Sequence, residues 1–313
     1  MSHDLLILSR HAPEYLKLIS AARLPDLSIV STTDLTQVSD RAAACDIVFG
    51  EPALIAPVLP KLTSARWIQS TWAGVEPLLN PSLRRDYTLT NARGVFGALM
   101  SEYVFGYMLA HERLVFAKRD AQAAGLWDPT PPGSLRGKLV GLLGVGTIGA
   151  ALAKTAKHFG MRVRGYTRGT QSSKDVDEYF HGDAKAAFAR DLDYLVCVMP
   201  NTPATRTLVD RTLLDALPPR AVFINPGRGS TVDESALADA LGSGRIAGAV
   251  LDVFQAEPLP RTHVFWTLPN VIITSHTAAL SAPPDIAPLF IENYRRLLGG
   301  GPLMHRVDFD AGY

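Results

Sequence analysis

The chain has 313 residues, long enough for two domains that each bury a core. Its 31 Lys+Arg against 30 Asp+Glu leave a formal net charge of +1 with no basic stripe, which excludes the electrostatic footprint of a nucleic-acid or membrane-surface protein. The two cysteines, Cys45 and Cys197, each sit in an apolar strand-like run, the pattern of buried thiols in a reducing cytoplasm rather than of a disulfide or a metal site.

Residues Leu5 to Leu8 read as a first strand and not as part of a leader. A helical segment, Glu14 to Ala22, follows, and then strand-like runs at Ile47–Phe49, Trp67–Gln69 and Tyr87–Thr90. Such alternation predicts an α/β layer with a parallel sheet. From Ala98 the pattern becomes one long helix, and the apolar stretch Val95 to Ala110 carries Glu102 and is too short to span a membrane. The cluster Asp128-Pro129-Thr130-Pro131-Pro132-Gly133 reads as a hinge crossing. Six further strands are predicted at Leu139–Leu143, Arg162–Tyr166, Tyr194–Val198, Ala221–Asn225, Ala249–Asp252 and Val271–Thr274, enough for a doubly wound dinucleotide fold. A last helix, Ile286 to Leu298, places Tyr294-Arg295-Arg296 on its polar side.

The first of those six strands runs into Gly144-Val145-Gly146-Thr147-Ile148-Gly149, and a helix, Ala150 to Phe159, follows at once. Strand, Gly turn and helix are the context in which a pyrophosphate sits on a helix N-terminus. An NAD site of this kind has an acid at the tip of the second strand, to bond the ribose 2′-hydroxyl. Here Thr167 stands in that place with Arg168 after it, and Ser172, Ser173 and Lys174 add donors. A guanidinium suits a 2′-phosphate, so NADP(H) is favoured, with NAD(H) possible if Arg168 only stacks on the adenine.

Three predicted strands end in polar residues: Asn225-Pro226-Gly227-Arg228-Gly229, Asp252-Val253-Phe254-Gln255-Ala256-Glu257-Pro258, and Thr274-Ser275-His276-Thr277. Ligands bind at strand carboxyl ends in open α/β sheets, so the three are expected to converge. Thr231-Val232-Asp233-Glu234 reads as a capping box for the helix after the first of them.

With these motifs, and with Gln69-Ser70-Thr71-Trp72-Ala73-Gly74-Val75-Glu76, Asn91-Ala92-Arg93-Gly94, Leu135-Arg136-Gly137-Lys138 and Met199-Pro200-Asn201-Thr202-Pro203-Ala204-Thr205-Arg206, the chain resembles the D-isomer-specific 2-hydroxyacid dehydrogenases, and among them the glyoxylate/hydroxypyruvate reductases. The resemblance implies two doubly wound parallel-sheet domains, a Rossmann dinucleotide-binding domain (98–283) inserted into a flavodoxin-like substrate domain (1–97 and 284–313). It also implies a catalytic Arg228, Glu257 and His276. Backbone donors at Ala73, Gly74 and Val75 would receive a substrate carboxylate beside Trp72. Pro200, Asn201 and Thr205 would line the nucleotide, Asp252 would meet the nicotinamide carboxamide, and the assembly would be a homodimer.

The chemistry of reducing a 2-oxo acid asks for the same residue types: a cation for the carboxylate, a proton donor for the carbonyl oxygen, and an acid to orient that donor. Ser275 replaces the Pro that commonly precedes the family's His, Thr277 replaces an aliphatic residue, and Val264 interrupts the usual His-Pro run. Glu257, where formate dehydrogenases carry Gln, argues against formate oxidation. Two other readings remain open at this point: a nucleotide-sensing protein like the family's corepressors, and NAD-dependent oxidation of D-hydroxy acids. The remaining histidines, His3, His11, His111, His158, His181, His263 and His305, lack metal-ligand spacing, and no metal is expected.

Overall fold

The computed structural model describes residues 2–33, 40–169 and 173–312. The chain begins with β1 (His3–Leu8), α1 (Ala12–Ala21), β2 (Leu27–Thr32), α2 (Asp40–Ala43), β3 (Ile47–Gly50), α3 (Pro52–Val58), β4 (Trp67–Ser70) and β5 (Thr88–Thr90). It continues through α4 (Gly97–Glu112), α5 (Val115–Ala123), β6 (Leu139–Leu143), α6 (Thr147–His158), β7 (Arg162–Tyr166), β8 (Glu178–Phe180), α7 (Lys185–Ala189), β9 (Tyr194–Cys197), α8 (Arg211–Ala216), β10 (Val222–Asn225), α9 (Glu234–Gly242), β11 (Gly248–Leu251) and β12 (Val271–Ile273), and ends in α10 (Pro283–Leu298). Contacts divide it into two compact units, Met1–Val95 with Leu280–Tyr313, and Phe96–Ala279.

The first unit holds a five-stranded parallel sheet in the order β2-β1-β3-β4-β5, the flavodoxin-like arrangement. β1 and β3 are continuous buried apolar runs because helices cover both faces of such a sheet. β2 escaped the sequence reading: it is an edge strand, Leu27-Ser28-Ile29-Val30-Ser31-Thr32, only half-buried, with no apolar run to mark it.

α10 closes this sheet. Phe290 is fully buried, stacks on Trp67 at 5.3 Å between centroids and lies 5.0 Å from Phe49. Beside it Asn293 is buried and fully used: its Nδ2 donates to Gln69 Oε1 at 3.0 Å and to the Met304 carbonyl, and its Oδ1 accepts from Met304 N–H at 2.7 Å. Tyr294 is buried as well, donating to the carbonyls of Pro25 and Asp26, so it does not share the polar side of α10 with Arg295. Its ring contributes apolar surface while its hydroxyl finds carbonyls beyond β1.

The second unit holds seven parallel strands in the order β12-β11-β10-β9-β6-β7-β8. This is the doubly wound order with the switch between β6 and β9, where the chain reverses its direction of winding. The unexpected seventh strand, β8, is a three-residue edge strand, Glu178-Tyr179-Phe180, too short for a periodic signal. The long helix expected from Ala98 is two helices, broken at Leu114, which adopts a left-handed conformation with φ 55°. The Pro/Gly cluster 128–133 is not a hinge crossing. It lies inside the second unit, where Lys118 donates to the Asp128 and Thr130 carbonyls and Gly133 N–H donates to the Glu112 carbonyl. The chain passes between units at Val95/Phe96 and Ala279/Leu280, where the sequence placed the boundaries at 97/98 and 283/284.

The Phe290→Ala variant should lose about 3–5 kcal/mol, because a fully buried aromatic leaves a cavity lined by Trp67 and Phe49 that the sheet cannot refill. Urea denaturation followed by tryptophan fluorescence measures it. A loss below about 1 kcal/mol would show that α10 adds little to this core.

Candidate active site

The Gly turn follows β6, where Gly144 has φ +96°, open to glycine alone at little cost. A Cβ on Gly149 would stand 2.2 Å from the Gly144 carbonyl oxygen, so helix and turn touch backbone to backbone. At Gly146 the space a Cβ would take is empty to 4 Å. Among the described residues none accepts a hydrogen bond from the N–H groups of Gly146, Thr147 or Ile148, the first turn of α6. An open cradle edged by free N–H groups and a helix dipole fits a pyrophosphate. Val145 is buried against Gly165 of β7.

At the tip of β7, Thr167 N–H donates to the Phe180 carbonyl and its Oγ1 lies 3.2 Å from His181 Nδ1. Arg168 is exposed. Ser172 lies outside the described residues, whereas Ser173 N–H donates to the Tyr179 hydroxyl at 3.0 Å. After β9, Thr205 Oγ1 donates to the Pro200 carbonyl at 2.6 Å and accepts from Thr202 N–H, so it closes the 200–205 loop on itself beside Asn201.

Arg228 follows β10 in extended backbone, φ −141°. The chain there is wedged: a Cβ on Gly229 would overlap the Phe254 carbonyl carbon at 1.9 Å, so only glycine lets this loop lie against the one after β11. The Arg228 carbonyl accepts from Thr231 Oγ1 at 2.6 Å and Asn225 Nδ2 at 3.2 Å, which fixes its backbone, and its Nη1 donates to the Gly227 carbonyl. Thr231 therefore serves this loop and not a capping box; the cap of α9 is Asp233, which accepts from Ala236 N–H.

His276 and Glu257 meet across 19 residues of sequence, with Nδ1 2.7 Å from Glu257 Oε2. Glu257 Oε1 accepts from Phe254 N–H at 2.9 Å, which holds the carboxylate in place. Since Nδ1 faces a carboxylate, it carries the proton, and Nε2 is the nitrogen left to exchange one. The His276 side chain is 57% exposed and Glu257 35%. The hydrogen bond to Glu257 holds the His276 pKa above its usual 6.5 against partial burial, helped by the charges of Glu257 and Asp252 and opposed by Arg228. Burial alone would raise Glu257, but the bonds from His276 and Phe254 and the charges of His276 and Arg228 bring it below 4.5.

Asp252, 1% exposed, directly follows β11 and receives the His276 loop. Its Oδ1 accepts from Thr274 Oγ1 at 2.5 Å and Thr277 N–H at 2.8 Å, its Oδ2 from Ala278 N–H at 3.0 Å, and its carbonyl from His276 N–H at 2.6 Å. Three of about four carboxylate acceptor positions are thus filled, and one on Oδ2 is left open. Ser275 and His276 both take left-handed backbone, φ 57° and 58°, a conformation disfavoured for non-glycine residues. The one trace of this strain in the sequence is Ser275, in place of the family's Pro.

In the first unit, Trp72 N–H and carbonyl are both held by Ser70 Oγ at 2.9 Å, and the Ala73 carbonyl accepts from Asn91 Nδ2. Among the described residues none accepts from the N–H groups of Ala73, Gly74 or Val75. Trp72 is half-buried and Val75 buried. Among the described residues no three of His, Cys, Asp and Glu are grouped to hold a metal ion, and no helix is long and apolar enough to cross a membrane. Cys45 and Cys197 are free and buried.

Residues 105–278 match the model of a family described as D-isomer specific 2-hydroxyacid dehydrogenase, NAD binding domain. The glyoxylate/hydroxypyruvate reductase A of Serratia proteamaculans is 34% identical over 214 residues, 68% of this chain and 68% of that one. A D-isomer specific 2-hydroxyacid dehydrogenase family protein from Aeromonas salmonicida superposes with a TM-score of 0.94 at 40% identity, over 99% of this chain and 100% of the other. An NADPH-dependent glyoxylate/hydroxypyruvate reductase from Sinorhizobium meliloti, solved with NADP and sulfate, superposes with a TM-score of 0.86 at 28% identity over the whole of both chains.

Replacing Glu257 by Gln removes the carboxylate that raises His276, so the imidazole should titrate at lower pH than in the wild type. An NMR titration of the His276 ring reads this directly. An unmoved midpoint would mean that Glu257 does not set the charge of the ring.

Proposed function

The chain belongs to the D-isomer-specific 2-hydroxyacid dehydrogenases, a family of NAD(P)-dependent enzymes, and on that premise we propose that it reduces a small 2-oxo acid, glyoxylate or hydroxypyruvate, to the D-2-hydroxy acid with NADPH. The observation that carries this reading is the His276–Glu257 bond, which leaves Nε2 as the free, protonated end of a ring held toward its cationic form.

Bound in the Gly-turn cradle, the cofactor would supply a hydride to C2 of the oxo acid. The chain does the rest. Arg228 pairs with the substrate carboxylate and steers the carbonyl, through a planar fork that suits two oxygens. His276 Nε2 gives its proton to the carbonyl oxygen as that oxygen gains charge, and Glu257 stabilises the imidazolium before transfer and keeps the neutral ring in its Nδ1–H form after it. The ring then regains a proton from solvent, to which it is open. The unpaired N–H groups of Ala73, Gly74 and Val75 are proposed as further carboxylate donors and Trp72 as a substrate contact. The remaining acceptor position on Asp252 is proposed for the carboxamide, and Pro200, Asn201 and Thr205 for the nucleotide edge.

NADPH is preferred in this reading because Thr167 stands where a ribose-binding acid would be, Arg168 is exposed beside it, and the Sinorhizobium meliloti neighbour was solved with NADP. The setting proposed is the cytoplasm, in keeping with two buried thiols. A homodimer is also proposed. α5 buries no residue within the chain, and Val115, Phe116, Leu126 (67% exposed) and Trp127 (94% exposed) offer an apolar surface that a helix of nine residues needs covered.

Steady-state assays with both oxo acids and both cofactors test the reaction. Turnover should favour NADPH, and Arg168→Ala should raise the KM for NADPH roughly tenfold while leaving that for NADH nearly unchanged. Because the working form carries a protonated His276, the reduction rate should be level at low pH and fall as pH rises through a value above 6.5, with the oxidation rate changing in the opposite sense. His276→Ala should cost ~10²–10⁴ in kcat. Nucleotide binding without turnover would favour the sensor instead, and efficient turnover confined to D-hydroxy acids with NAD would reverse the working direction.

Light scattering after gel filtration should give twice 33.8 kDa, and Trp127→Arg should shift the protein toward monomer. A wild-type monomer at micromolar concentration would reject the dimer.

A further inference from the structure

The loop that carries His276 is tied to Asp252, and Asp252 is in turn tied to α4 by a chain of hydroxyls. Tyr103 Oη, on α4, lies 2.7 Å from Thr274 Oγ1, which lies 2.5 Å from Asp252 Oδ1. The direction of both bonds follows from the end of the chain. A carboxylate only accepts, so the single Thr274 proton goes to Asp252, and the Thr274 oxygen must receive its own bond from the Tyr103 hydroxyl. We propose that Tyr103 and Thr274 are positioning residues that hold the Asp252 carboxylate, and through it the 274–278 loop, in the conformation that presents His276.

The proposal rests on the reading of His276 as the proton donor and deepens it. Ser275 and His276 sit in left-handed backbone that their side chains disfavour, so the loop needs outside restraint. Asp252 supplies that restraint through Thr277 and Ala278 N–H groups, and these bonds are worth most while Asp252 is a localised anion. Thr274 contributes the third donor. Burial pushes the Tyr103 pKa up, which keeps its hydroxyl a donor at any working pH. The charged and titratable groups facing this arrangement are Glu257 and Arg228 on the imidazole, and Tyr103 and Tyr107 of α4 on the carboxylate. Removing the Thr274 hydroxyl takes one donor from Asp252 and frees both the carboxylate and the loop to shift. Once the loop shifts, the His276 ring no longer meets Glu257 and Asp252 at the distances that favour its cation, so its protonated form weakens.

The test is an NMR titration of the His276 imidazole, its resonance identified by loss in His276→Gln, in wild type, Thr274→Val, Thr274→Ser and Tyr103→Phe. The Thr274→Val protonation constant should fall by about threefold or more. Tyr103→Phe should move in the same direction and Thr274→Ser should restore the wild-type value. In reduction of glyoxylate or hydroxypyruvate, Thr274→Val should lower kcat about tenfold through misplacement of the ring. Its alkaline limb should move to lower pH. A His276 midpoint unchanged in both Thr274→Val and Tyr103→Phe overturns the proposal, and so does a Thr274→Ser protein that behaves like Thr274→Val. If wild type turns over neither oxo acid, the reductase reading falls while the titration still decides this one.

Discussion

A carboxylate taken out of water must have its oxygens filled by donors, and Asp252 draws nearly all of its donors from a single five-residue loop. That requirement shapes the end of the second unit that carries the candidate site. To bring Thr274, Thr277 and Ala278 onto one carboxylate, the chain after β12 has to turn through two left-handed residues, and the turn throws the His276 ring outward while its backbone stays pinned to the Asp252 carbonyl. The ring is therefore open to solvent and yet mounted on one of the most buried charged groups in the protein. This arrangement costs the fold some backbone strain, and the strain sits at the residue proposed as proton donor.

The three proposed catalytic side chains come from three neighbouring strands. β10, β11 and β12 lie side by side and run parallel, so the segments that follow them emerge along one edge of the sheet. Arg228 leaves the first, Glu257 the second and His276 the third, and glycine at 229 lets the first two segments lie against each other. Electrostatics then separates their tasks. Glu257 stays ionised because donors and cations outweigh its burial, His276 is biased toward its charged form by that anion, and Arg228 offsets part of the bias from the other side. The outcome is a ring biased toward its imidazolium form, which is the form the proposed proton transfer needs.

What could be read in the sequence divides along physical lines. The Gly turn was legible because backbone contact at Gly149 and the left-handed angle at Gly144 admit one residue type, so geometry writes itself into the letters. The central strands were legible as apolar runs, since a parallel sheet covered on both faces leaves no polar face to alternate. Edge strands β2 and β8 were not, being half-buried or three residues long. The break at Leu114 carries neither glycine nor proline, and Tyr294 was misjudged because it adjoins two arginines although its ring faces the core. The tie between Tyr103 and Thr274 spans 171 residues and joins residue types common anywhere, so only the folded chain reveals it.

The core of the first unit uses residues from both ends of the chain. Phe49 and Trp67 present an apolar face that is completed only by Phe290, and Phe96–Ala279 are synthesised in between. At ~5–20 residues per second the nascent sheet waits roughly 10–40 s for its last helix, while the inserted unit has all of its own strands before that helix leaves the ribosome. The order of assembly is thereby written into the connectivity: the nucleotide-binding unit is complete first, and the unit begun first is finished last. Throughout that interval the apolar face of Phe49 and Trp67 lacks Phe290, the ring that covers it.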